Sequence, residues 1–570
     1  MKKTQWMIYT KRADFKLLAA RFSVSPVLAR IMTNRGVGED EMDSYLHGTL
    51  SELPDPLLLK DLEKAVRILL EKCREGKRIR IIGDYDIDGI CSTYILLTGL
   101  KRAGARADYD IPDRVKDGYG LNMNLIEKAH ADGTDTILTC DNGIAAIDEI
   151  RAAKEYGMTV VVTDHHEVGH DASGVEKLPS ADAVVDPKQE GCRYPFDGIC
   201  GAVVAFYLIR VLYRAAGIPE AEWEELLPFA TIATVGDVMS LKHENRIIVK
   251  EGLKSIAHTR NEGLKKLIAL CGLDPGHMTA YSIGFVIGPC LNAGGRLESA
   301  KVGLGMLLET DPDRAERAAL HLKELNDERK EMTNRGVRAA VAEVDRAMPD
   351  RNVLVVYLPD CHESVAGIIA GKLREAYHKP SIVLTDSAAE EWLKGSGRSI
   401  EGYHMFRALE EAEDLLVKFG GHPMAAGLTL KRENAEALAE RLNANARLTE
   451  DQLTEKIWID TELPFSHATK RLINELELLE PFGQGNEKPL FGLRGVHVRS
   501  VRVLGRNRNV VKLMLADREG TFMEAVAFTD GDAFLQEMGD RRVMSILYYP
   551  KIDDYMGRSS VQAVLKGWKF

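Results

Sequence analysis

No two of the eight cysteines (73, 91, 140, 192, 200, 271, 290 and 361) stand in C-x-x-C spacing. Neither a zinc ribbon nor a disulfide framework is therefore expected, and the thiols read as reduced, half-buried small residues. Long hydrophobic runs are missing as well: nothing approaches the roughly 18 uncharged apolar residues of a membrane span, and Met1 to Phe22 holds no apolar core of signal-peptide length. A cytoplasmic protein is expected. There is no low-complexity tract and no internal repeat, and 45% hydrophobic with 28% charged residues describes a chain that folds throughout. An excess of basic charge is also lacking. A net charge of −11 disfavours a protein that coats nucleic acid through global electrostatics. The charges are unevenly spread, however: Arg494 to Lys512 holds six arginines and lysines and no acid, while aspartates cluster nearer the N-terminus.

With 570 residues the chain exceeds the size at which one core stops growing, so three or four domains are expected. From Lys77 to Asp186, short β-branched runs alternate with helical stretches, and Arg78 to Gly83, Thr136 to Cys140, Met158 to Thr163 and Ala183 to Asp186 read as strands. Such alternation predicts a parallel α/β sheet with its active residues beyond the strands' C-terminal ends. Asp313 to about Met348 reads as a long helix joining two lobes, with Leu322, Leu325, Met332, Val341 and Val344 at roughly helical spacing. A second α/β unit begins with the strand Val353 to Leu358 and runs through glycine-rich stretches near Gly395 and Gly420. From about Glu455, short strands separated by Gly and Asn (Gly492 to Leu504, Val510 to Leu515, Met523 to Phe528) predict a small β-barrel.

Gly83-Asp84-Tyr85-Asp86-Ile87-Asp88-Gly89 puts three carboxylates at alternate positions directly after an apolar strand. Like charges so close repel, and a buried unpaired carboxylate costs several kcal/mol, so a cation is the natural resolution. An EF-hand opens in the same way, but it needs a glutamate at its twelfth position, here Ile95, and a preceding helix. Asp141 ends the second strand, Asp164-His165-His166 ends the third, and Asp237 follows the apolar Phe229 to Val235. Singly, each can be a helix cap or a structural histidine. Together, several carboxylates and one or two imidazoles without cysteine suit Mn²⁺ or Mg²⁺ and make structural zinc improbable. Gly395-Ser396-Gly397-Arg398-Ser399 offers unobstructed backbone N–H groups, a hydroxyl and a guanidinium, either a phosphate cradle or a turn with a surface arginine. Arg494, Arg499, Arg502, Arg506, Arg508 and Lys512 alternate with valines, either a solvated face or the cationic side of a single-strand groove, with Tyr548, Tyr549, Tyr555 and Trp568 as candidate stacking rings.

Gly83 to Gly89, Thr139 to Ile144, Asp164 to His166 and Ala233 to Met239 resemble the four N-terminal motifs of the DHH phosphoesterase superfamily, and Asp-Tyr-Asp-x-Asp-Gly resembles its RecJ family. Ile111 to Arg114 with Gly118-Tyr119-Gly120, Gly288 to Asn292 with Gly295-Arg296, Gly395 to Ser399, Phe419 to Gly427 and Leu479 to Asn486 extend the resemblance over nearly the whole chain. The resemblance implies an α/β fold class with a parallel-sheet DHH domain, a long connecting helix, an α/β DHH-associated domain and a C-terminal OB-fold. The segments are a helical lead-in (1–76), the catalytic domain (77–240), a helical region (241–348), the substrate-binding domain (349–454) and the OB-fold (455–570). It further implies an exonuclease that hydrolyses single-stranded DNA from the 5′ end to nucleoside 5′-monophosphates in repair and recombination, with two Mn²⁺ or Mg²⁺ ions. Asp84, Asp86, Asp88, Asp141, His165 and Asp237 correspond to metal ligands. Asp164 and His166 correspond to catalytic neighbours that ligate or orient, and Arg114, Asn292, Arg296, Ser396, Arg398, His422, Arg506 and Arg508 to substrate contacts. A monomer is implied, partnered by single-strand-binding protein and a RecQ-type helicase. Two departures stand out: Cys290 occupies a position where many relatives carry a basic residue, and Cys361-His362-Glu363 replaces a Trp-His-Pro start. Two rivals remain, a small-substrate DHH hydrolase, against which the basic barrel speaks, and a silent DHH scaffold, which would have lost its ligands.

Overall fold

The computed structural model describes every residue except Met1, 115–117, Tyr119, Ala172, Ala388, Glu390, Met556 and Gly557; of the motif residues above, Tyr119 therefore lies outside the described residues. By their contacts these residues form two units, Met1–Gln5, Asp55–Asp237 and Gly252–Glu455 in the first, Trp6–Pro54, Val238–Glu251 and Lys456–Phe570 in the second.

In the first unit, β1 (Arg78–Ile82), β2 (Arg106–Asp110), β3 (Thr136–Cys140), β4 (Thr159–Thr163) and β5 (Ala183–Val185) pair in parallel in the order β2-β1-β3-β4-β5. Ile137, Leu138, Val160, Val161 and Val162 are wholly buried, as the continuous apolar runs require of a sheet covered on both faces. The edge strand β2, Arg-Ala-Asp-Tyr-Asp, is concealed in the sequence by its charges; Asp108 is held by Arg78 and Arg80 of β1. Because the chain leaves β1 in one direction to β2 and in the other to β3, the sheet has a switch point there, the place where open α/β sheets bind ligands. Helices α1 (Ile87–Arg102), α2 (Gly201–Ala216) and α3 (Leu227–Gly236) follow, largely buried.

Helices α4 (Glu262–Leu270) and α5 (Gly288–Leu297) pack on α6 (Pro312–Ala347), the predicted long helix. Asp311 caps α6 by accepting from the Arg314 N–H, and Pro312 occupies its first turn, where no N–H is needed. The second lobe of this unit carries α7 (Glu363–Tyr377) on a mixed sheet of β6 (Leu354–Tyr357), β7 (Ser381–Asp386), β8 (Trp392–Arg398), β9 (Leu416–His422) and β10 (Ala425–Lys431), in the order β9-β10-β8-β7-β6. Here the structure corrects the sequence reading: Gly395 to Arg398 is not an open cradle of free N–H groups but lies within β8, paired on both edges by β7 and β10. A Cβ on Gly395 would come within 2.7 Å of Leu384 and Leu428, so the glycines make room for side chains crossing from the neighbouring strands.

In the second unit, β11 (Thr461–Glu462), β12 (Phe491–Leu504), β13 (Val510–Ala516), β14 (Phe522–Phe528), β15 (Val543–Tyr555) and β16 (Arg558–Lys569) run in the order β11-β12-β13-β14-β16-β15, and β15 returns to pair with β12. The last five strands therefore close a barrel. Its core is shared with the N-terminal helices: Leu28, Ile31, Met32 and Leu46 pack with Leu463, Phe465, Phe491 and Tyr548. Residues 6–54 thus share a unit with the barrel. The wholly buried Arg246 pins the unit's three segments together by donating to the carbonyls of Tyr45, Leu478 and Leu479 at 2.7–2.9 Å.

The ring assignments also change. Tyr548 is fully buried and its hydroxyl donates to Leu463 O at 2.6 Å, while Trp568 packs edge-on against Phe534. Tyr549 is half-buried beside Lys488 and Lys566, and the Tyr555 side chain lies outside the described residues. The exposed rings of the barrel include Phe522 and Phe528. Tyr548→Phe should destabilise the barrel by about 1–3 kcal/mol, because it leaves a buried carbonyl unsatisfied. Urea unfolding should show a lower midpoint at unchanged slope; an unchanged midpoint would mean the bond contributes nothing.

Candidate metal centre and anion cradle

The acids gather at the switch point. Asp84 follows β1, Asp141 follows β3 and Asp164 follows β4, while Asp86 caps α1 and Asp237 caps the end of α3, so one carboxylate arrives from a helix instead of the sheet. Asp88 sits in the first turn of α1, and its two oxygens accept from Gly201 N and Ala202 N, both at 2.7 Å, at the start of α2. A Cβ on Gly201 would press on Asp141 at 2.8 Å. Asp141 itself is held in the left-handed region, at φ 59°, a conformation a non-glycine residue keeps only where its surroundings enforce it.

His165 turns Nε2 toward three carboxylates from three elements, Asp141 at 3.1 Å, Asp88 at 3.4 Å and Asp237 at 3.9 Å. Asp84, Asp86 and Asp141 form one set of donors, Asp88, His165 and Asp237 a second, and Asp141, His165 and His166 a third, the atoms of each set lying within 4.8 Å of one another. Asp84 Oδ2 and His165 Nδ1 are buried without a hydrogen-bond partner. Burial and then the neighbouring carboxylates push Asp84 and Asp237 up to about 8, and Asp141 well above the usual range. Oxygen and imidazole donors with orphaned buried atoms and mutual repulsion fit hard divalent cations.

Asp164 is arranged differently. Its oxygens accept from Ile144 N at 2.9 Å, His165 N at 2.8 Å and His166 Nδ1 at 2.7 Å. Burial alone would raise its pKa, but the His166 hydrogen bond overrides this and holds the carboxyl below the usual range. It anchors the two histidines and is no free ligand. Asp186, at the end of β5, is pushed up to about 7 by burial and by Asp164.

Opposite in sign is a group of guanidiniums in the same unit. Burial, then Arg114, Arg329 and Arg398, pulls Arg296 down to about 10, and burial, then Arg114 and Arg374, lowers Arg398. Arg296 donates to Ser364 O at 2.9 Å, Arg398 to Gly397 O at 2.8 Å and Ser396 Oγ at 3.3 Å, and Arg114 lies 4.9 Å from the Tyr85 ring. A Cβ on Gly367 would meet Ser396 and Arg398, so α7 is opened at that point to admit them. Asn292 shares the α5 face with Arg296 at i,i+4 spacing. His422, at the end of β9, lies within electrostatic reach of Glu167. Clustered, partly desolvated guanidiniums are chemically suited to an anion. Sequence reasoning missed Arg329, which looks like one more surface charge on α6, and the α2 N-terminus beneath Asp88. In the barrel, Arg506 is exposed and Arg508 is paired with Asp532.

These features define a phosphoesterase of the DHH class: residues 78–235 match the DHH family, N-terminal domain, residues 350–447 the DHHA1 domain, and residues 459–567 the RecJ OB domain. The chain is 36% identical over 571 residues to the single-stranded-DNA-specific exonuclease RecJ of Bacillus subtilis, covering 99% of this chain and 70% of the relative. Identity to that of Escherichia coli is 33% over 564 residues, with 95% of each covered. The crystal structure of RecJ in complex with Mn²⁺ from Thermus thermophilus superposes with a TM-score of 0.85 at 29% identity, covering 100% of this chain and 80% of that one. The Mg²⁺ complex gives 0.79 at 28%, covering 100% and 79%. The chain belongs to the RecJ family of single-stranded-DNA-specific exonucleases.

Occupation of the donor sets should relieve the carboxylate repulsion. At a hundred times its Kd, Mn²⁺ should stabilise the first unit by about 2.7 kcal/mol per site, seen in calorimetry as a rise of several degrees in Tm that EDTA reverses. An unchanged Tm would remove the case for a cation.

Proposed function

We propose that Asp84, Asp86, Asp88, Asp141, His165 and Asp237 would hold two divalent ions, Mn²⁺ or Mg²⁺. The observation that carries this is that these six residues supply two donor sets, Asp84 with Asp86 and Asp141, and Asp88 with His165 and Asp237, the atoms of each lying within 4.8 Å of one another. With these ions the chain hydrolyses single-stranded DNA from its 5′ end and releases nucleoside 5′-monophosphates. When bound, they lower the pKa of a water and offset the charge that grows on the phosphoryl oxygens.

The remaining roles fall to the chain's own residues. Arg114, Arg296, Arg398 and Ser396 hold the terminal phosphate, with Asn292 and His422 beside them. Asp164 is a positioning residue: it spends both oxygens on the protein and so fixes the orientation of His166 and the backbone of His165. On the barrel, Arg499, Arg502 and Arg506 with the exposed Phe522 and Phe528 bind single-stranded DNA, and Arg508 joins them on releasing Asp532. We assign the 349–454 segment to substrate binding, and the chain to the cytoplasm as a monomer acting with single-strand-binding protein and a RecQ-type helicase. Among the described residues no helix is long and apolar enough to cross a membrane.

The test is a time course on 5′-labelled and 3′-labelled single strands with Mn²⁺. The 5′ label should appear at once as mononucleotide; early release of the 3′ label would reverse the assigned direction. Asp141→Ala or His165→Ala should reduce kcat roughly a thousandfold or more with far-UV circular dichroism unchanged, and wild-type turnover in either would sink the ligand assignment. Arg398→Ala should lose about 2 kcal/mol, roughly thirtyfold in kcat/KM, on 5′-phosphorylated strands. Equal losses on unphosphorylated strands would make Arg398 a general backbone contact.

A further inference from the structure

A cavity of about 440 Å³ opens off the guanidinium group, and a single terminal phosphate does not account for so much space. It shares Arg114, Ser364 and Ser396 with that group, and among the described residues none of the acids of the switch point lines it. Strand register lays out its floor. Arg398 of β8 stands beside Ala425 and His422; two residues along, Ser396 stands beside Gly427 and Gly420; two further, Lys394 stands beside Thr429 and Lys418. Side chains alternate between the faces of a strand, so these three rows lie on one side of the sheet, about 7 Å apart. Nothing packs into the middle row. Beyond its chain neighbours, a Cβ on Gly420 would meet no atom within 4 Å, one on Gly427 would come no nearer than 4.0 Å to Gly395 O, and neither glycine holds a positive φ. Neither backbone conformation nor a neighbouring side chain requires these two glycines, and what they leave is open space.

The walls decide what that space can take. Arg114, Lys394 and Lys418 line it against one carboxylate, Glu363, whose Oε2 lies 2.6 Å from Lys394 Nζ and so fixes that ammonium at the start of α7. Ser396 and Thr429 add hydroxyls. The ring among the lining residues, that of Phe419, packs on Phe406 and the core of this lobe, so it gives a nucleobase no free face to stack on. Ammoniums act as point charges toward phosphate, and a guanidinium binds it through a fork of donors. Cations, hydroxyls and an empty glycine floor without a stacking ring suit a chain of phosphates better than a base.

We propose that this cavity receives the outer phosphates of a 5′-triphosphate, so that the chain also accepts single strands that end in a 5′-di- or triphosphate. The inference rests on the reading of Arg398 and Ser396 as the terminal-phosphate site. With the innermost phosphate there, the outer two run along the face of the sheet toward Lys394 and Lys418. The bond that is cleaved does not change. The oxygen of a water joins the phosphorus between the first and second nucleotides, the P–O3′ bond breaks, and O3′ leaves with one of the water's protons. A triphosphorylated end thus yields a nucleoside 5′-triphosphate and a strand with a 5′-monophosphate, which re-enters the ordinary cycle.

The test gives the full chain, with Mn²⁺, matched single strands that carry a 5′-monophosphate or a 5′-triphosphate, and resolves the products by mass spectrometry. Both strands should be digested, and the first product of the second should be a nucleoside triphosphate. Lys418 is exposed, so Lys418→Ala should fold normally; it should lower kcat/KM roughly tenfold on the triphosphorylated strand and leave the monophosphorylated one unchanged. The double variant Lys394→Ala with Glu363→Gln, which strands no carboxylate, should do the same. In EDTA, fluorescence anisotropy of the labelled strands should show tighter binding of the triphosphorylated end, an advantage that Lys418→Ala removes. Digestion of the monophosphorylated strand alone overturns the proposal and spares the nuclease reading, as does loss of the outer phosphates before the first nucleotide leaves. Equal losses on both strands would make Lys418 a general contact and overturn it too. Inhibition by free nucleoside triphosphate, with the triphosphorylated strand left intact, would give the cavity to the free nucleotide instead. If neither strand is digested, the nuclease reading fails, and the anisotropy difference, which needs no turnover, still decides for or against the cavity.

Discussion

The constraint on which this structure depends is the repulsion among carboxylates crowded at the C-terminal edge of one parallel sheet. Left to themselves, these carboxylates would move apart or protonate, and burial drives Asp84, Asp88, Asp141 and Asp237 toward the neutral form. The fold blocks the first escape. The start of α2 clamps Asp88 by two backbone donors, the missing side chain at Gly201 lets that helix reach Asp141, and Asp164 spends its own charge on fixing two histidines. The protein does not neutralise the group internally; it leaves that to cations.

The guanidinium group poses the same problem with the sign reversed. Burial, then Arg114, Arg329 and Arg398, lowers the hold of Arg296 on its proton, burial, then Arg114 and Arg374, lowers that of Arg398, and the hydrogen-bond partners of these two are carbonyls and a hydroxyl. Each cluster is incomplete by itself: the acids need cations and the arginines need a phosphate. In the proposed reading a DNA end with its bound ions would satisfy both at once, so that binding energy and chemical positioning would come from the same electrostatic deficit.

Much of this was legible in the sequence, and the exceptions have physical reasons. Alternate acids directly after an apolar strand are visible because strand and loop differ in composition, and Thr136 to Cys140 needed no adjustment. The long helix was out by one residue at each end. Strand β2 escaped because an edge strand whose charges are paired by its neighbour shows no apolar run. The glycines of β8 were misread because the same residue serves an open loop and a crowded strand, and only the facing Leu384 and Leu428 decide between them. Tyr548 and Tyr549 are adjacent in a strand, so one points inward and the other outward; the pairing of Tyr548 with Phe491 and Leu565 settles which, and no local pattern carries that information. Arg329 was invisible because its role depends on Asn326 and the Cys290 thiol of another helix.

The core shared by residues 6–54 and the barrel has a consequence for how a cell makes the protein. Leu28, Ile31, Met32 and Leu46 leave the ribosome first, yet the residues that bury them begin at Lys456, about 400 residues later. At 5–20 residues per second that interval is roughly 20–80 s, during which the whole first unit can be translated and folded. The opening segment must wait without the barrel residues that complete its core until the last strands are released.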